Sequence, residues 1–177
     1  EGNEEKYEYI YPDLTISKNL ISNNRFGNLD LLTNYKVNKY ETNKFTNFLV
    51  NDLNWNLNYL SKNSVFKNEI LGNFKNINYE ANNIDLYKEE TTSEFYGALG
   101  FKSELGLYKF TDDKKLSIFK PKMLVKISPN DSRNISTNST TLSYSNIFNL
   151  NKVNSIDKTD TGSSLSLGSQ TTGAVSV

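Results

Sequence analysis

From Asp52 to Leu60 the chain reads Asp-Leu-Asn-Trp-Asn-Leu-Asn-Tyr-Leu, with a large apolar residue at every odd position from Leu53 to Tyr59 and Asp or Asn at every even position from Asp52 to Asn58. Successive side chains of a β-strand point to opposite faces, so this spacing predicts a strand with one apolar and one wet face. The pattern recurs over Gly27 to Tyr40, where Leu29, Leu31, Tyr35 and Val37 alternate with Asn28, Asp30, Asn34, Lys36 and Asn38. These runs are long. A strand in a soluble domain usually ends after about five or six residues, whereas a strand that crosses an outer membrane needs about nine to eleven.

The same spacing of two organises most of the chain, and no helix of useful length emerges from it. Strands are predicted at Tyr7 to Asn19, Gly27 to Tyr40, Phe45 to Leu60, Glu69 to Tyr79, Glu94 to Phe110 and Leu116 to Ile127. Two shorter ones are predicted at Leu142 to Leu150 and Ser163 to Leu167. Ser22-Asn23-Asn24, Glu41-Thr42-Asn43 and Thr111 to Lys115 are turn signals. Ala81 to Thr92 and Ser128 to Thr140 read as polar loops. In the fourth strand the alternation slips phase between Phe74 and Ile77, which predicts a β-bulge. Long consecutive strands with short turns predict an all-β fold, an antiparallel up-and-down meander. About eight strands fit, and their two outer edges would be open; closure of a barrel removes such edges. The chain is therefore expected to be a segment of a large transmembrane β-barrel, one partial domain over residues 1–177 that is incomplete at both ends, with a ragged end over 169–177.

Composition narrows this reading. Lys+Arg and Asp+Glu both number 20, so there is none of the basic excess of a nucleic-acid binder. The hydrophobic fraction of 36% is low for a globular chain, but 12% aromatic content and the regular alternation speak against disorder. No stretch approaches the run of about 18 apolar residues that a transmembrane helix needs. The sequence opens at Glu1 with no initiator Met and no signal-peptide pattern, which reads as a mature or excerpted segment.

Candidate chemistry is sparse. Histidine and cysteine are absent, which removes the commonest general base and the usual soft-metal sites. The carboxylate pairs Glu4-Glu5, Glu89-Glu90 and Asp112-Asp113 fall in turns or ends and read as solvated charges. Asp157 to Gly162 is a poor calcium loop, because Gly168 stands where a bidentate Glu is needed. No enzyme activity and no cofactor are expected. Two stripes remain. Lys120, Lys122 and Lys126 share one strand face, either as a solvated face paired with neighbouring carboxylates or as an inward basic ladder for an anionic ligand or acidic partner. Tyr35, Trp55 and Tyr59 are either core aromatics of a sandwich or part of an aromatic girdle; the unbroken Asn on the opposite face favours the girdle.

The last third of the chain resembles a known family. Phe119-Lys120-Pro121-Lys122, the strand stop Ser128-Pro129-Asn130-Asp131, Asn146-Ile147-Phe148, and the run from Asn151 to Gly162 are similar in order and spacing to motifs in the barrel domain of the LptD (organic-solvent-tolerance protein) family. In the last run Asn151, Lys152, Asp157, Lys158 and Gly162 stand at family-motif positions. The departures are Lys152 and Lys158 for Arg, Ser155 for Gly and Asp160 for Glu; charge is preserved, while bidentate geometry and one turn glycine are lost.

The resemblance implies an outer-membrane barrel of a Gram-negative bacterium. Such a barrel takes lipopolysaccharide from a periplasmic bridge and inserts it into the outer leaflet, with an LptE-like lipoprotein plugging its lumen. On this reading Leu29, Leu31, Tyr35, Leu53, Trp55, Leu57 and Tyr59 are expected to face lipid or form the girdle. Asp52, Asn54, Asn56, Asn58, Lys120, Lys122 and Lys126 are expected to face the lumen or the plug. The expected partners are lipopolysaccharide, the lipoprotein plug, bridge components through an N-terminal domain, and outer-membrane lipid. A porin or TonB-dependent uptake barrel shares the strand physics, and a soluble β-sandwich adhesin or carbohydrate-binding module would have shorter strands packed face to face.

Overall fold

A computed structural model describes residues 7–40, 43–59, 65–85, 87–111, 115–129, 143, 146–152 and 159–176. Among the described residues eight strands form one antiparallel sheet: β1 (Tyr7–Asn23), β2 (Gly27–Tyr40), β3 (Lys44–Tyr59), β4 (Phe66–Asn82), β5 (Thr92–Leu105), β6 (Leu107–Thr111), β7 (Lys115–Ile127) and β8 (Ser164–Ser176). Each of β1 to β5 pairs with its sequence neighbour. β5 and β6 are two halves of one strand interrupted at Gly106. Both pair with β7, through Leu99↔Ile127 to Glu104↔Lys122 and Leu107↔Phe119 to Thr111↔Lys115. The other edge of β7 pairs with β8. The result is an all-β meander curled into half a barrel.

The turns follow from residues that tolerate left-handed backbone. Gly27 opens β2 at φ 78°, and a side chain there would collide with the backbone of Asn56. Asn43 and Asn83, both at φ 56°, stand at the same end of the sheet, and the Asn83 amide donates to the Asn43 carbonyl at 3.4 Å.

The register separates two faces. One is outward and largely apolar. The other, inner face carries two apolar clusters with a polar field between and beside them. One cluster is Phe48, Val50, Ile77 and Tyr79, closed by the Tyr87 ring at 5.3 Å from Phe48 and 5.5 Å from Tyr79. The other is Tyr96, Ala98 and Leu124, on which Phe148 and Leu150 of the segment after β7 are packed.

Four expectations are corrected. The register of β3–β4 and β4–β5 is continuous, so there is no bulge between Phe74 and Ile77. The hydrophobic phase slips there because the inner face itself changes, from Asn73 and Lys75 to Ile77 and Tyr79, while the backbone stays regular. Irregularities fall instead in β1 and near Leu116. The predicted strand from Glu94 to Phe110 breaks at Gly106. Within the predicted strand from Leu142 to Leu150, residues 146–150 form turns and bends, held by Ile147 N–H to Ser143 O at 3.0 Å and Asn149 N–H to Asn146 O at 3.0 Å. Finally, β8 runs to Ser176, so most of the expected ragged end is paired strand.

Two glycines in β5 are expected to respond oppositely to substitution. A side chain at Gly100 would run into Leu150, whereas one at Gly97 would meet nothing within 4 Å. Gly100→Ala should cost about 1–3 kcal/mol by overpacking and expose the 146–152 segment to protease, while Gly97→Ala should be neutral or slightly stabilising. Urea unfolding with limited proteolysis checks both.

Candidate functional site: a two-faced wall with an inward cap

The inner face is wired by charge. Three ion pairs lie between residues directly opposite each other in neighbouring strands: Asp52 with Lys75, Glu69 with Lys102, and Glu104 with Lys122, each at 3.1 Å. Opposite charges in such positions stabilise a given pairing, and like charges would oppose it. Asparagine amides fill the field around them. Asn73 Nδ2 donates to Asp52 Oδ1 at 2.6 Å and Asn54 Oδ1 at 2.8 Å, and Asn34 Nδ2 donates to Asp13 Oδ1 and Thr15 Oγ1, both at 2.8 Å.

Above this face lies a cap made by the segment after β7. Lys126 is 1% exposed, and its ammonium donates to the backbone carbonyl of Asp160 and to its carboxylate at 2.9 Å. The Tyr96 hydroxyl donates to the same carbonyl at 2.8 Å. Within the cap Asp160 N–H donates to Asn151 Oδ1 at 3.1 Å, and Asn146 Nδ2 donates to the Lys152 carbonyl at 3.3 Å. Lys152 reaches Ser166 of β8 at 3.4 Å. Phe148 lies over Gly168 and Leu150 over Gly100, so two strand glycines make room for two cap side chains. Between the cap and strands β3 to β5 is a polar cleft of about 380 Å3, walled by Asp52, Asn73, Glu69 and Lys102 on the sheet and by Phe148 and Asn149 on the cap.

The outward face is different. Apolar residues begin and end its stretches at Leu29–Val37 on β2, Leu49–Tyr59 on β3, Phe66–Phe74 on β4, Phe95–Leu105 on β5 and Phe119–Ile127 on β7. Polar residues inside these stretches are tied sideways: Thr33 Oγ1 donates to Asn51 Oδ1 at 2.9 Å and Ser103 Oγ to Asn68 Oδ1 at 2.8 Å. Trp55 Nε1 donates to the Phe26 carbonyl at 2.7 Å.

This apolar belt slants across the hydrogen-bond rows. The row of Thr33, mid-belt on β2, runs through Asn51 and Asn76 to Phe95. The row of Met123, mid-belt on β7, runs through Ser103 and Asn68 to Tyr59. On β5 the two rows are eight residues apart, so the belt slips about two residues per strand between β2 and β7. With a rise of about 3.3 Å per residue and about 4.8 Å between strands, that slip is a strand tilt of about 54°. Strands in closed barrels tilt by about 35–45°.

The structure therefore puts Leu29, Leu31, Tyr35, Leu53, Trp55, Leu57 and Tyr59 on the outward face, together with Pro121. Asp52, Asn54, Asn56, Asn58, Lys120, Lys122 and Lys126 share the inner face. The three lysines have different surroundings: Lys122 is paired with Glu104, Lys126 is locked under the cap, and Lys120 lies opposite Gln170. Asn146, Phe148, Asn151 and Lys152 come together in the cap, Gly162 leaves it at φ 92°, and Pro129 is exposed beyond the end of β7. Asp157 and Lys158 lie outside the described residues. Sequence reasoning missed Lys75, Glu69, Lys102, Glu104, Tyr96 and Asp160 as members of the site, because their partners are set by strand register. Among the described residues no cluster of acidic side chains could hold a metal ion. No family model matches the chain, and no curated protein matches it.

The clamp on Lys126 yields a double-mutant expectation. Asp160→Ala removes the carboxylate from a buried ammonium and should cost about 1.5–3 kcal/mol. Adding Lys126→Met, which removes the stranded charge, should recover most of that loss. Denaturant unfolding of the two single variants and the double variant measures the coupling.

Proposed function

We propose that the chain is a wall segment of an outer-membrane β-barrel, and that the barrel belongs to the lipopolysaccharide-assembly class. The observation that carries the membrane reading is the outward belt. Its stretches cover about nine to eleven residues on each of five successive strands, the length a tilted strand needs to cross a bilayer. The lateral bonding of Thr33, Asn51, Asn68 and Ser103, and the bonded indole of Trp55, suit a face in contact with hydrocarbon, where an unmet polar group is costly. A soluble sandwich would bury such a belt against a second sheet, and the described residues form one sheet only.

The lipopolysaccharide reading rests on the motif resemblance, to which the fold adds one supporting fact. Asn146, Phe148, Asn151 and Lys152, far from the belt in chemistry, converge in a cap on the inner face, where a large polar cargo or a lumenal plug protein would pass or sit. In this function the wall performs no bond-making step. It separates lipid from a polar lumen, and the ion pairs and amides give the lumen a hydrated, charge-balanced surface.

Two outcomes are expected. Leu57→Arg places a guanidinium in the belt and should weaken folding into lipid vesicles by about 2–4 kcal/mol if its position is near the bilayer midplane; denaturant titration in vesicles reads it. Depleting the protein in its native cell should remove lipopolysaccharide from the surface and accumulate the precursor inside. Normal surface lipopolysaccharide with impaired solute entry would instead identify an uptake barrel.

A further inference from the structure

We infer that the outward face holds a specific seat for one acyl chain of a bilayer phospholipid, a recess opened by two glycines beside Trp55. The inference rests on the membrane reading above. The recess, about 530 Å3, crosses from β2 to β7 and is lined by Trp55, Phe74, Leu99 and Ile127 over a floor that includes Gly72 and Gly97. Its geometry follows from register. Gly72 stands between Trp55 and Leu99 in one row, and Gly97 stands beside Phe74 in the next, so bulky walls flank two missing side chains.

The two glycines have different standing. At Gly72 a side chain would come within 3.1 Å of the Trp55 ring, so close packing of that indole accounts for it. Gly97 has no such reason. A side chain there would meet nothing within 4 Å, and its backbone is not in the left-handed region. Glycine inside a strand costs stability, roughly 0.5–1 kcal/mol relative to alanine. What its absence of a side chain leaves is the depth of the recess.

The lining chooses the occupant. The Phe74 and Leu99 side chains are 47% and 61% exposed, yet the polar indole N–H of the neighbouring Trp55 is turned away to the Phe26 carbonyl. A protein partner could have bonded that N–H; a hydrocarbon chain could not, and its wall must be self-satisfied. The recess lies within the belt whose length matches a bilayer, so the hydrocarbon that reaches it belongs to a membrane lipid. No basic side chain lines it among the described residues, as the seat of a polyanionic lipid headgroup would require. A zwitterionic phospholipid fits that lack of charge.

Trp55 is the sole tryptophan of the 177 residues and reports on its own seat. The whole barrel that contains this segment, with Trp55 kept as its single tryptophan, is folded into phosphatidylcholine vesicles containing increasing fractions of a lipid brominated on its acyl chains, and tryptophan quenching is recorded. A single seat that exchanges one acyl chain predicts quenching that rises in proportion to the brominated fraction, whereas several unheld neighbours predict a curve that bends early. Gly97→Leu, whose β-carbon meets nothing within 4 Å, should fill the recess and convert the proportional rise to the early-bending curve while folding is retained. An early-bending curve in both proteins would overturn the seat and leave the membrane reading standing, since the face would touch lipid without holding it. A proportional rise that Gly97→Leu leaves unchanged would also overturn it. No quenching in either protein would overturn the seat and the membrane reading together.

Discussion

Everything in this wall depends on the pairing register of β2 through β5. Side chains alternate with period two, so a slip of a single residue would carry the whole apolar set to the inner face and the charges outward. The register is held from both sides. On the inner face Asp52 meets Lys75, Glu69 meets Lys102 and Glu104 meets Lys122, each across one strand boundary. On the outward face Thr33 meets Asn51 and Asn68 meets Ser103. A slipped pairing would place these groups beside the wrong neighbours and leave polar atoms without partners, at a cost of about 1–3 kcal/mol for each buried one.

The cap depends on the same register. Lys126 is buried because β7 pairs with β5 on one side and β8 on the other, and it is tolerable there because Asp160 returns to meet it. The glycines opposite Leu150 and Phe148 belong to the strands on either side of β7, so the cap is seated across three strands. The inner face consequently combines a rigid, charge-balanced floor with a segment anchored by one ion pair, several amide bonds and two apolar side chains.

Much of this was legible from residue order alone, and the exceptions share a cause. β2 was readable to its ends because both faces keep their character along its length except at Leu32 and Thr33, and Gly27 marks its start. β4 was misread because the inner face turns from polar to apolar at Ile77, and a change of environment looks like a change of backbone phase in a one-dimensional pattern. The segment from 142 to 150 carries the spacing of a strand, but its alternate apolar residues Phe148 and Leu150 are spent on packing against Gly100, Leu124 and Gly168 rather than on pairing. The inner lysines were visible as a stripe, whereas their partners on β5 and in the cap were not, since register and loop return are properties of the fold. The recess beside Trp55 could not be read at all, because its depth comes from residues that have no side chain.

One face of this sheet is proposed to meet hydrocarbon while the other meets water. The chain has no cysteine, so single cysteines introduced one at a time at positions 53 to 58 of β3 are unique labels. With the protein folded in lipid vesicles, a water-soluble maleimide should react quickly at 54, 56 and 58 and slowly at 53, 55 and 57. Equal reactivity along the strand, or rapid reaction at the odd positions, would contradict the two-faced wall.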